Sequence, residues 1–383
     1  MMNMRRILTW ARRSPRRLAE IGLGIGYGCL LASLPACGGS HEAGDDVRAF
    51  VVALPTADDV LVEVPEVQTD AASLEAAGAG RSRRALVGEP ATFYTHSYYQ
   101  AKEINGLAAS VIDILDEIAS YPPTTFTGTV AVWGPFSEPF EPNEFKVTVA
   151  KNEASALHFG WKIAGRHKSG VADFATLARG SFEPDSADGD QRNGRGWMFI
   201  DFGRIHELEQ SNEGAGDIRY RFTRTDAAVH VKAIYQGPDE EGQPATVAYG
   251  FGANAAGDGF ILFGLSADIH SGEDGANGAN DDGGAGARDA KEDLLIRTRW
   301  RAEGGGRSDV VARGGDLMLD EALVSQCWSE TFVSTYESMA INGSLIGEEG
   351  DETSCALDSP ELPDATELPS VDDVTDPFSS TSL

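Results

Sequence analysis

The chain has 383 residues, more than one ordinary domain needs, but its two ends read as a targeting segment and a tail, so one packed domain is expected. Hydrophobic residues at 41% and charged residues at 24% exclude a wholly disordered chain, a collagen and a polytopic membrane protein. A net charge of −29 argues against general nucleic-acid binding, because each phosphate contact needs a local cation and the long-range field repels a polyanion.

The first 36 residues have the three parts of a secretory signal. Arg5, Arg6, Arg12, Arg13, Arg16 and Arg17 form a basic stretch. The apolar, Gly-rich run from Ile21 to Ala36 is shorter than the roughly 20 residues a membrane span requires. It ends at Leu34-Pro35-Ala36-Cys37, followed by Gly38-Gly39-Ser40. This resembles the lipobox of bacterial lipoproteins. The resemblance implies that Cys37 is diacylated on sulfur, that the signal is removed before it, and that the new amino terminus is acylated. Gly38 after the cysteine, in place of Asp, implies the outer membrane by the Gram-negative sorting rule. Two or three acyl chains would anchor the protein firmly, each buried methylene contributing about 0.8 kcal/mol. The plainer alternative is a secretory signal or uncleaved anchor that happens to contain a cysteine.

Of the four cysteines, Cys29 leaves with the signal and Cys37 carries the lipid, so Cys327 and Cys355 remain. A pair in an oxidising compartment reads as a disulfide, and closing that loop would stabilise the fold by about 3.5 kcal/mol on the chain-entropy model. A metal pair or reduced buried thiols are the alternatives, although no CxxC spacing supports a metal.

Residues 37–92 have tether composition, including an Arg81-Ser82-Arg83-Arg84 cluster read as a solvated loop. Val60-Leu61-Val62-Glu63-Val64 has strand composition and stands as a candidate first strand. Residues 93–355 are expected to form a single antiparallel β domain with helices. Within it, Ser97 and Gln100 have capping-box spacing and Pro122-Pro123 forces a stop, which predicts a helix from Ser97 to Ser120. Ile104, Leu107, Val111, Ile114, Leu115 and Ile118 give it one apolar stripe.

After Pro123 the period changes from 3.6 to 2. Phe145, Val147 and Val149 alternate with Lys146 and Thr148; Phe159, Trp161 and Ile163 alternate with His158 and Lys162. The same alternation recurs around Tyr220, Val231 and Ile296, with further strands expected near Thr129–Trp133, Trp197–Phe202, Thr246–Phe251 and Phe260–Leu265. Residues 268–293 read as a mobile acidic Gly-rich loop, Asp320–Met339 as a second helix carrying Cys327, and 356–383 as a disordered acidic tail. The expected fold is therefore mainly β (α+β). It is a large antiparallel curved sheet or incomplete barrel of about nine to ten strands, with a packed amphipathic helix near the N-terminus and a C-terminal helix. Such a domain resembles envelope lipoproteins of Gram-negative bacteria, a likeness that implies no activity.

Motifs for chemistry are few. His206-Glu207-Leu208-Glu209-Gln210 begins like a zinc-protease helix but has Gln210 where the second His must stand. Gly264-Leu265-Ser266-Ala267-Asp268 lacks the second Gly of an esterase elbow. Asp185-Ser186-Ala187-Asp188-Gly189-Asp190 offers oxygen ligands, yet its spacing is not that of an EF-hand, so calcium is at most a weak surface ligand. The acidic loop lacks the nonapeptide period of secreted calcium repeats. No catalytic residue, resident metal or cofactor is assigned.

One pattern is less bland. Lys146, Lys162, Arg219, Arg221, Lys232, Arg297, Arg299 and Arg301 all fall on polar-face positions of expected strands in a strongly acidic chain. Either this is the ordinary solvated face of an antiparallel sheet, or it is a face for an anionic ligand or surface such as lipid phosphate, or for the protein's own acidic loop folded across it. The sequence thus leaves three readings: a lipid-anchored, non-catalytic binding module for an apolar or lipid-like ligand or a protein partner; a structural or adhesive surface lipoprotein; and, with least support, a hydrolase.

Overall fold

The computed structural model describes residues 41–66, 87–137, 142–152, 158–169, 173–185, 193–209, 216–238, 244–267, 292–314, 320–358 and 360–375. Cys37, the Arg81–Arg84 cluster, Ser186–Asp190 of the acidic run and residues 268–291 lie outside them.

Four helices are present among the described residues: α1 (His41–Val52), α2 (Ala57–Val60), α3 (Thr92–Ala119) and α4 (Phe202–Glu209). The strands are β1 (Thr125–Phe126), β2 (Val130–Phe136), β3 (Asn143–Lys151), β4 (Phe159–His167) and β5 (Ala175–Pro184). They continue as β6 (Gly194–Asp201), β7 (Asp217–Arg224), β8 (Ala228–Pro238), β9 (Pro244–Asn254) and β10 (Gly259–Ala267). The last five are β11 (Glu292–Trp300), β12 (Gly306–Gly314), β13 (Glu321–Trp328), β14 (Ser334–Ile341) and β15 (Ser344–Gly350). Each strand pairs antiparallel with the next, giving one open 15-stranded meander. The fold is mainly β as expected, with more strands than the nine or ten anticipated.

Alternation along these strands separates two faces. Trp133, Val147, Val149, Trp161, Ile163, Phe182, Met198, Tyr220, Phe222, Tyr249, Phe263 and Ile296 are buried in one continuous core with the apolar stripe of α3. Helix α3 lies across the strands in reverse order, and polar bonds mark its course. The Phe93 N–H donates to Gln326 on β13 (3.0 Å). Ser97 meets Thr298 on β11 (2.6 Å). Tyr249 on β9 donates to Gln100 (3.0 Å) and Tyr220 on β7 donates to the Ile104 carbonyl (3.1 Å). Beyond the helix, the Trp133 indole on β2 donates to the Tyr121 carbonyl (2.9 Å). From Ser97 to Ile104 the helix advances about 10 Å, whereas β11 to β7 would span about 19 Å of flat sheet. The sheet therefore curls obliquely round the helix.

Four expectations are corrected. The helix starts at Thr92, because Ser97 is no cap: its hydroxyl back-bonds to the Phe93 carbonyl (3.0 Å) and reaches Thr298 inside the core. The tether is packed over its described part: Phe50, Leu54, Val60 and Val62 are buried, and the Phe50 ring meets Phe126 and Phe159 edge-on at 5.4 and 5.3 Å. Within it Val60–Val64 is no strand. The side-chain amide of Asn105 on α3 both accepts from the Val62 N–H and donates to its carbonyl, each at 2.7 Å, so the segment runs along the helix with its polar groups satisfied without a strand partner. Asp320–Met339 is not a helix but β13 and β14. Its alternation is disguised because Gln326 points inward to cap Phe93 while Cys327 faces the opposite side.

A further correction concerns the acidic tail. Residues 360–375 form an ordered strap over the outer face, with 3₁₀ turns at Ala365–Glu367 and Asp372–Val374. In each turn a carboxylate accepts backbone N–H groups: Asp364 from Thr366, and Asp373 from Ser370. The Cys327–Cys355 disulfide fixes the chain just before the strap, across a separation of 28 residues. The protein is thus layered as strap, sheet, helix α3 and N-terminal segment.

Candidate functional site

The register of the sheet places most of the expected cationic residues on its outer face. Trp197, Arg221, Lys232, Gly250, Leu262, Arg297, Asp309, Ser325 and Ser338 stand directly opposite one another on successive strands from β6 to β14. Arg299 and Arg307 form the neighbouring pair two residues along. Strict alternation over long strands produces this row, since residues two apart share a face.

The strap lies along the row. Arg297 bonds Glu367 and lies 3.5 Å from Glu361; Arg299 reaches Glu361 at 2.8 Å. Farther along, the Trp197 indole donates to the Val374 carbonyl at 2.5 Å, Arg221 donates to the Asp373 carbonyl at 3.4 Å, and Lys232 meets the Asp373 carboxylate at 3.1 Å. The Ser370 N–H, then its hydroxyl, then Lys232 hold the Asp373 carboxyl down at about 2. Such exposed ion pairs contribute little individually. Their number and order, however, define how this face receives an acidic chain.

Beneath the strap lies a buried hub. Asp309, fully buried, accepts from Arg307 Nε (2.9 Å) and Ser325 (2.8 Å) on one oxygen. Its other oxygen accepts from Arg299 (3.0 Å) and from the Glu361 N–H of the strap (3.1 Å). A buried carboxylate with four donors is well satisfied, and it couples sheet to strap.

The rest of the expected face lies beyond the described end of the strap, on β3 to β7. Lys146 sits 4.4 Å from the Phe174 ring. Lys162 lies directly opposite Arg179, and burial, then the nearby Lys146, lowers its affinity for the proton. Arg219 pairs with Asp217 at 3.2 Å. Arg301 does not belong to this face: β11 ends at Trp300, and Arg301 turns to meet Asp258 at 3.3 Å in the β9–β10 connection.

Sequence reasoning missed Arg179, Arg307, Asp309 and the Trp197–Phe199 platform. Those two rings lie nearly parallel, centroids 6.3 Å apart, with Arg179 5.6 Å from the Trp197 ring and 5.4 Å from that of Phe199. The strand carrying Arg179 was hidden because Gly180 blunts its alternation. A Cβ at Gly180 would lie 2.3 Å from the Trp197 carbonyl and 2.5 Å from the Trp161 ring, so the position admits no side chain. A shallow depression of about 340 Å³ beside the platform is lined by Ala175, Thr176, Arg179, Phe199, Asp201 and Arg204.

Among the described residues no three His, Cys, Asp or Glu converge as metal ligands, and no helix is long and apolar enough to cross a membrane. No protein-family model, curated protein or solved structure matched the chain.

Proposed function

We propose that the protein is a lipid-anchored component of the cell envelope, held in the outer membrane through acyl chains on Cys37, and that its packed domain is a non-catalytic binding module. Of the occupants the sequence leaves open, a protein partner on the outer sheet face has more support than an apolar or lipid-like molecule between sheet and helix. The observation that carries this reading is the acidic strap seated along Arg221, Lys232, Arg297 and Arg299. It is an internal example of an extended acidic segment bound to that face. On the inner side Trp133, Trp161, Tyr220, Tyr249 and Phe263 are buried against α3 and fill the place a lipid would take.

The structural or adhesive alternative has one observation in its favour. Edge strand β15 carries Leu345 and Ile346 at 60% and 54% exposure, and an open apolar edge can accept a partner's strand.

Native mass spectrometry of protein purified gently from its own envelope, before and after organic extraction, tests the proposal together with the mass of the amino-terminal peptide. An acylated Cys37 with nothing extractable is expected. An unmodified Cys37 overturns the anchor, and a stoichiometric extractable lipid returns the carrier reading.

A further inference from the structure

We infer that the cationic face continues past the strap into a docking track for an acidic, extended peptide segment of a partner protein, centred on Arg179 and the Trp197–Phe199 platform. The inference rests on the binding-module reading and names its partner's chemistry. Arg179 is exposed, stands over two parallel aromatic rings, and meets no carboxylate among the described residues. Among the strap-covered cations Lys232 meets the Asp373 carboxylate, Arg297 and Arg299 meet that of Glu361, and Arg221 donates to the Asp373 carbonyl.

Charge arrangement supports an anionic occupant. Lys162 and Arg179 stand directly opposite on adjacent strands, and Lys146 is two residues from Thr148, the cross-strand partner of Lys162. Like charges in direct opposition repel, and a carboxylate beside exposed Arg179 would relieve that repulsion. On the other side Phe199 stands between Arg179 and Arg219, giving guanidiniums on both flanks of one ring. Rings hold a guanidinium by its face and leave its edge N–H groups for a carboxylate. Asp201 and Asp217 border the track: Asp201 accepts the Arg204 N–H, and Asp217 pairs with Arg219.

Continuity identifies the occupant as peptide. The strap already places a backbone carbonyl on the Trp197 indole, and Trp197 is also one edge of the Arg179 platform, so one recognition surface runs from β14 to β3. An extended acidic chain matches both its groups, carbonyls on N–H donors and carboxylates on cations. An anionic bilayer would oppose a whole face of an acidic protein, whose full chain has a net charge of −29, whereas a peptide meets the track alone.

The test titrates intact, acylated protein in detergent into a labelled synthetic peptide of sequence Pro360–Thr375, which has five carboxylates and no Lys or Arg. Fluorescence anisotropy should report saturable, salt-sensitive binding. Arg179→Glu with Lys146→Glu should weaken it about tenfold, with the thermal midpoint kept. If that double reversal unfolds the domain, Arg179→Gln at the exposed position should still weaken binding severalfold. No binding by the parent protein, or equal affinity in a folded variant that retains Arg297 and Arg299, overturns the track. So does binding to anionic phospholipid vesicles without binding to the peptide. A protein free of extractable lipid that ignores the peptide loses this inference alone; one that releases lipid loses the proposed function as well.

Discussion

The two faces of the sheet are built on the same strands and held by different physics. The inner face packs large apolar side chains against α3, with a few polar bonds, such as Tyr220 to the Ile104 carbonyl, fixing the helix in register. The outer face carries cations whose partners come from a separate segment tied on by Cys355 and by Asp309. Apolar burial is strong and non-directional, while exposed ion pairs are weak but selective for charge and position. The contrast places apolar burial on the inner face and charge-selective contacts on the outer one, the face for which recognition is proposed.

The contrast can be broken most severely from the inside. Trp133→Ala removes a fully buried indole and its bond to the Tyr121 carbonyl, and should destabilise the domain by about 4 kcal/mol in urea unfolding. The outer anchor comes next. Replacing Cys327 and Cys355 together by Ser should cost about 3.5 kcal/mol through the freed unfolded chain, and should release the strap, read as hydrogen exchange at Thr366 and Ser370. Asp309→Ala strips Arg307 of its buried partner and the Glu361 N–H of its acceptor, a loss of about 3 kcal/mol.

Smaller effects sharpen the comparison. The Asp373 carboxyl titrates at about 2, below its ordinary 3.8. A depressed carboxyl contributes attachment that is complete above about pH 4 and is lost as pH falls through about 2. Trp197 fluorescence should report this loss, because its indole bonds the neighbouring Val374 carbonyl, while the buried Trp133 and Trp161 report only the core. Lys232→Ala should lower stability by less than about 1 kcal/mol, since the pair is exposed, and should blunt the salt dependence of strap attachment.

Much of the inner face was legible in the sequence because its strands alternate cleanly: Phe145 to Val149 and Ile218 to Phe222 read directly as half-buried strands, and the stripe from Ile104 to Ile118 as the helix that covers them. Where alternation is interrupted for a tertiary reason, the reading failed. Gln326 faces inward to bond Phe93, and Gly180 lies beneath Trp161, so β13 and β5 escaped notice. The strap was equally hidden, since its acidic composition gives no sign that Arg297, Arg299 and Asp309 receive it or that Val374 is buried beneath it. The cations themselves could be named from their polar-face positions, but Arg301 shows the limit. It lies one residue beyond Trp300, where the strand ends, and so turns toward Asp258.

The account holds that the space between sheet and helix is already full and that binding belongs outside. The most direct measurement is a titration of the protein with a fluorescent long-chain fatty acid, followed through quenching of the inner tryptophans. The account predicts no saturable binding and an unchanged signal from Trp133 and Trp161. Stoichiometric binding that quenches those residues would contradict it and restore the interior as the binding site.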